Sequence, residues 1–142
     1  MSKGVFFMKI DLNKYKEFVD AVTSDESKNN DAFSHNWARL NNQRLADMPR
    51  LLTASCGIGA EAGEFTEIVK KIIFQGKPLD DENIYHMKRE LGDIMWYWMQ
   101  GCMALDVDPN IIIQMNIDKL KARYPGGDFD AHYSENRVDG DI

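Results

Sequence analysis

The feature that most limits how this chain can fold is a pair of long amphipathic stretches, about 49–75 and 81–105, separated only by residues 76–80. Proline fits a helix's first turn because its missing N–H is not needed there, and Pro49 stands at that place. Glycine accepts the left-handed conformation that ends helices, and Gly76 stands at the other end. Asp80, Asp81 and Glu82 suit the positive end of the second stretch. So short a link turns the second helix back along the first, which predicts an antiparallel pair.

The flanks are helical too. Asp11 can cap a helix over about 12–23, residues 24–30 read as a polar loop, and a second helix over about 31–45 carries Phe33, Trp37, Leu40 and Arg44 on one side. Asp108 and Pro109 read as cap and first residue of a helix over 109–123, stopped by Tyr124, Pro125, Gly126 and Gly127. Strand signals reduce to residues 5–10 and 111–113, and the latter follow so strong a helix start that they read as helix. The expectation is one all-α domain spanning 1–142, a bundle of about five helices with an N-terminal extension, 1–10, and a polar, extended tail within 124–142.

Composition narrows the function classes. Seventeen Lys and Arg against 23 Asp and Glu give a net charge of −6, which argues against a general nucleic-acid binder. No apolar run approaches the ~18–20 residues of a membrane span. The opening MSKGVFFMKI, whether the start is Met1 or Met8, is too short in its apolar part for a secretory signal. Cys56 and Cys102 form no CxxC, which argues against a thiolate zinc site and fits a reduced, cytoplasmic compartment.

What matters is where the acids sit. Each helical residue advances about 100°, and with Glu61 as origin Ile58, Ala62, Phe65, Ile68, Val69, Ile72 and Ile73 fall between roughly −20° and +120°. Glu64 lies just outside that stripe at about −60°, and Glu67 near −120° faces away. On the next helix Ile84, Met87, Leu91, Ile94, Met95, Trp98, Cys102 and Leu105 form the stripe, with Glu90 and Asp93 along the same edge. If both stripes face one core, two carboxylate pairs converge on one cleft. Ionised acids at a few ångströms repel, and divalent cations relieve this; oxygen-only coordination favours Mg²⁺ or Mn²⁺ over zinc.

Three segments, CGIGAEAGEFTEIVKK (56–71), KRELGDIMWYW (88–98) and NIDKLKARYP (116–125), carry a resemblance. Together they resemble the MazG-like branch of the all-α nucleoside triphosphate pyrophosphohydrolases, over about residues 45–137. The family's E-x-x-E, spacer, E-x-x-D signature is met by Glu61 and Glu64, twenty-five residues, then Glu90 and Asp93. The tail resembles a subgroup common in bacteria and their phages. Ala60 departs from the doubled Glu that often opens the first motif in the MazG enzymes proper.

The resemblance implies Mg²⁺-dependent cleavage of a nucleoside triphosphate to monophosphate and pyrophosphate in nucleotide-pool control. Glu61, Glu64, Glu90 and Asp93 would hold the metal, and Glu61 or Glu64 would accept a proton from the attacking water. It further implies phosphate contacts by Asn116, Lys119 and Arg123. Lys70 and Lys71 follow the first motif by two turns, and Lys71 is the candidate for a phosphate role. Tyr97, seven residues after Glu90, shares its face and is a candidate for the pocket wall. His35 and Trp37, with Asn42 and Arg44, are candidates for the base. Ser134, Asn136 and Arg137 match the subgroup's S-x-N-R pattern and would fold back on the site or on a neighbouring subunit. Trp96 points outward and suggests an interface, in keeping with the homodimers and homotetramers that the family forms. Two other readings stand beside this one: a non-catalytic helical module that oligomerises or binds a partner helix, supported by the Met-rich helix over 81–105, and a phosphoribosyl-ATP pyrophosphatase-like enzyme.

Overall fold

A computed structural model describes residues 9–137, and every regular element within them is helical. In order these are α1 (Leu12–Val22), α2 (Asp25–Lys28), α3 (Asn30–Gln43), α4 (Met48–Phe74), α5 (Asp81–Ala104), α6 (Pro109–Arg123) and α7 (Ala131–Glu135). The chain forms two compact units, one up to Gln43 and one from Arg44 onward. The strand candidate at residues 5–10 lies outside the described residues except for Lys9 and Ile10, which form no strand. Among the described residues no helix is long and apolar enough to cross a membrane.

In the N-terminal unit, α1 starts where Asp11 Oδ1 accepts the N–H groups of Asn13 and Lys14 at 3.0 and 3.3 Å. The expected polar loop over 24–30 holds the one-turn helix α2 instead. It is too short to show a hydrophobic period, but its charges suit it: Asp25 and Glu26 lie at the positive end and Lys28 at the negative one. Lys28 Nζ also donates to the Asp20 carbonyl at 2.6 Å, tying α2 to α1. Helix α3 stops two residues short of its expected end, because Arg44 adopts a left-handed backbone, φ 54°. On α3, Trp37 stacks on Phe33 with ring centroids 5.9 Å apart.

The second unit is built on the antiparallel pair α4 and α5. Asp47 caps α4 through the Arg50 N–H at 3.1 Å, and Asp80 caps α5 through the Asn83 N–H at 2.9 Å. Gly76, at φ 72°, turns the chain out of α4. The buried Asn83 amide donates to the Pro78 carbonyl at 2.8 Å and holds the connector shut. At the other end, Asp47 N–H donates to the Ala104 carbonyl at 2.8 Å and Arg50 Nη1 to Gln100 Oε1 at 2.6 Å. Small residues bring the helices together here: Ala54, Cys102 and Ala104 are buried.

The predicted stripes are broader than this contact. Phe65, Ile68, Val69 and Ile72 are half-buried, whereas Ala62 and Ile73 on α4 and Leu91 and Met95 on α5 stay exposed. One helix covers only part of an apolar face more than 100° wide. Asp108 Oδ1 caps α6 through the Asn110 N–H at 2.8 Å, and α6 keeps its expected bounds. The tail is not wholly extended. Gly127, at φ 83°, turns it so that Phe129 meets Tyr124 with centroids 5.8 Å apart, and Asp130 caps α7 through the His132 N–H at 2.8 Å.

Candidate metal centre

The register of α4 against α5 is marked by one close contact. The Tyr97 ring lies against the backbone of Gly57, so close that a Cβ on Gly57 would fall inside the envelope of ring atoms Cγ, Cδ1 and Cε1. Four residues onward along α4 is Glu61, and four residues back along α5 is Asp93. Three more steps in each direction reach Glu64 and Glu90. The helices run antiparallel, so one register carries both acid pairs to matching levels.

Carboxylate oxygens of Glu61, Glu64 and Glu90 lie within 4.8 Å of one another. Glu61 and Glu90 are half-buried and Glu64 is exposed. Asp93 stands outside this threesome but acts on it: its charge is among those that raise the Glu61 pKa above the ordinary carboxylate range. The foremost cause of that shift is partial burial, followed by the charges of Glu64 and Asp93, a hydrogen bond with Glu90, and the charge of Glu90. Three neighbouring acids that all push the Glu61 pKa upward mark a place where negative charge is in excess. The donors are all carboxylate oxygens, and a hard divalent cation with bonds of ~2.0–2.6 Å sets its ligands roughly 3–5 Å apart. The cluster fits such an ion by donor type and by spacing.

The other candidate residues divide by element. Glu67 turns from the acid cluster toward lysines, its oxygens 2.5 Å from Lys70 Nζ and 3.1 Å from Lys71 Nζ. Hydrogen bonds from Lys70 and then Lys71 hold its pKa below the ordinary range. Lys71 is thus already paired, within its own helix. Tyr97 spends its ring on Gly57 and makes an edge contact with Trp96, centroids 4.8 Å apart. Asn116 joins Ile58, Ile94, Met95, Trp98, Ile112 and Ile113 around an apolar groove of about 430 Å³ between α4, α5 and α6. Lys119 and Arg123 follow on α6, both half-buried. Arg137 is exposed at the end of the described residues, and Ser134 lies on α7. His35, exposed, and Trp37 lie on α3 in the N-terminal unit.

Sequence periodicity did not single out Gly57. Its role depends on which residue of α5 lies opposite, and the available signal was the small pair Ala54 and Gly57 one turn apart on the inner side of α4. The ion pairing of Glu67 was legible as i, i+3 and i, i+4 spacing to Lys70 and Lys71.

Comparison with known proteins agrees with this geometry. The family model described as MazG nucleotide pyrophosphohydrolase domain matches residues 52–127, which contain all four acids. Gene 37 protein of Mycobacterium phage L5 is 39% identical over 72 residues, covering 50% of this chain and 63% of that protein. The chain therefore spans under two thirds of the length of the curated relative it matches. No solved structure matches it at a significant level. A family model that covers more than half of the chain and both acid motifs leaves one assignment: the chain belongs to the MazG nucleotide pyrophosphohydrolase domain family.

Proposed function

We propose that this chain is a Mg²⁺-dependent nucleoside triphosphate pyrophosphohydrolase, cleaving a (d)NTP between its α and β phosphorus atoms to monophosphate and pyrophosphate. The observation that carries this reading is the convergence of Glu61, Glu64 and Glu90 within 4.8 Å on two helices of a MazG-family domain. In this reading these three and Asp93 hold Mg²⁺, with Mn²⁺ as a substitute. Bound there, the cation would cancel the acids' mutual repulsion and polarise phosphate oxygens. A carboxylate of Glu61 or Glu64 takes the proton of the attacking water. Lys119 and Arg123 supply positive charge to the phosphates, and Asn116 presents an amide at the edge of the apolar groove, where a flat base can lie. A groove of about 430 Å³ is of the size that takes small ligands.

Self-association belongs to the same proposal. Trp96, Met99 and Met103 on α5 are 56%, 40% and 55% exposed, and Ile111, Ile113 and Met115 on α6 are exposed as well. A helix apolar on more than one side is stable when covered on more than one side. A homodimer or homotetramer supplies that cover, and light scattering should give at least twice the mass of the chain.

The activity is tested by supplying each of the eight common NTPs and dNTPs with Mg²⁺ and resolving the products. Monophosphate and pyrophosphate in equal amounts are expected. Diphosphate with free phosphate, or no turnover of any nucleotide, contradicts the proposal.

A further inference from the structure

We infer that Gly57 and Tyr97 form a positioning pair that sets the α4–α5 register and thereby the spacing of the acids; this rests on the reading of Glu61, Glu64, Glu90 and Asp93 as a metal centre. Neither residue touches the cation in this account. Their contact is the packing layer next to the acid layer, four residues from Glu61 on one helix and four from Asp93 on the other.

Two helices that face each other through side chains of ordinary size sit 8–10 Å apart, and their levels can slip. A flat ring on bare backbone removes that freedom. It lets the axes approach on one side, and it admits the ring at one level only, because the residues one turn away on the same face of α4, Ala54 and Glu61, carry side chains. A slip by one residue moves a carboxylate by about 1.5 Å along the axis and 100° around it, enough to take it out of a shared coordination sphere. The other glycine on this interface behaves differently. A Cβ on Gly101 would meet the Ala54 Cβ at 3.7 Å, an ordinary contact, so Gly101 does not lock anything. The constraint is local to Gly57, and it lies beside the acids.

The test uses the full chain and two measurements. The first is Mn²⁺ affinity. The second is the oxidation rate of a disulfide between Glu64→Cys and Glu90→Cys in a Cys56→Ser background, which reads the spacing without any metal. Gly57→Ala should keep its helix content, lose about tenfold or more in Mn²⁺ affinity, as loss of a partner that orients metal ligands does, and slow the cross-link. Adding Tyr97→Ala to Gly57→Ala removes the clash but also the ring that fixes the register, so the double variant should stay below the parent protein in both. Tyr97→Phe keeps the ring and should match the parent protein in affinity and in cross-linking. Should Gly57→Ala not fold, Tyr97→Leu, which removes the flat ring without adding bulk to α4, should show the same two losses. A folded Gly57→Ala with parental affinity and cross-linking overturns the inference, and so does a double variant that equals the parent protein in both. If the parent protein binds no Mn²⁺ while cross-linking still depends on Gly57 and Tyr97 in this way, it is the metal reading that fails and the positioning pair that stands.

Discussion

Two stretches of the α4–α5 pair, the end far from the connector and the middle, share one register, yet they are opposite in character. At one end Ala54, Cys102 and Ala104 are buried, Gly57 lies under a ring, and Asp47 and Arg50 bond across to Ala104 and Gln100. In the middle, Glu61, Glu64 and Glu90 gather along the edge of the apolar stripes. The first holds the helices together without help. The second is held together in spite of its charges, since like carboxylates at a few ångströms repel. The difference teaches that the rigid end is what makes the charged middle affordable: packing next door fixes a geometry that the acids alone would not adopt.

The largest effect should come from breaking the charged middle. Glu64→Gln or Asp93→Asn should lower turnover by more than about 100-fold, the upper range for disturbing even an outer partner of a metal ligand, and leave the helix content intact. Turnover like the parent's in either variant removes the metal centre from the mechanism. Next in size is a pH effect. The Glu61 pKa is raised, so in the metal-free chain this group contributes stability below the ordinary glutamate value near 4.5, and that contribution is lost as pH rises through the raised value. Protons and Mg²⁺ would compete for these carboxylates. The melting temperature should therefore rise with Mg²⁺ at neutral pH and hardly at all in acid, as thermal scans across pH would record. Glu67 runs the other way: its lowered pKa gives stability present above that ordinary value and lost as pH falls through the lowered one.

Smaller effects sharpen the view of the rigid end and the caps. Asp80→Ala removes the side chain that caps α5 and should cost about 1 kcal/mol in chemical denaturation. Gly101→Ala should stabilise the pair by roughly 0.5–1 kcal/mol, because the added methyl finds ordinary contact and alanine favours the helix. A loss there would mean that the rigid end is tighter than its contacts indicate.

Much of this was legible in the sequence, for reasons that differ by element. The bounds of α6 follow from Asp108, Pro109 and Tyr124 to Gly127, and the α4–α5 turn from Gly76 and Asp80, because caps and breakers act locally. The convergence of Glu61, Glu64 and Glu90 follows from phase, since two helices with acids on the same edge of their apolar stripes bring them together when the stripes meet. Helices α2 and α7 escaped because one turn has no period to detect. The exposure of Leu91 and Met95 escaped because a stripe announces that a surface wants cover without naming the cover. Asp93 falls outside the tight threesome although it belongs to the same motif, because motif spacing sets where a side chain starts and not how far it reaches. The Gly57 contact is a property of register, written in neither helix alone.

The central claim is that the charged middle of the pair is a cation site. Calorimetric titration of Mg²⁺ into the full chain at neutral pH tests it most directly, with Glu90→Gln as the paired sample. The account predicts saturable binding to the parent chain and binding at least about tenfold weaker in the variant. No saturable binding to the parent, or the same curve for both, would contradict it.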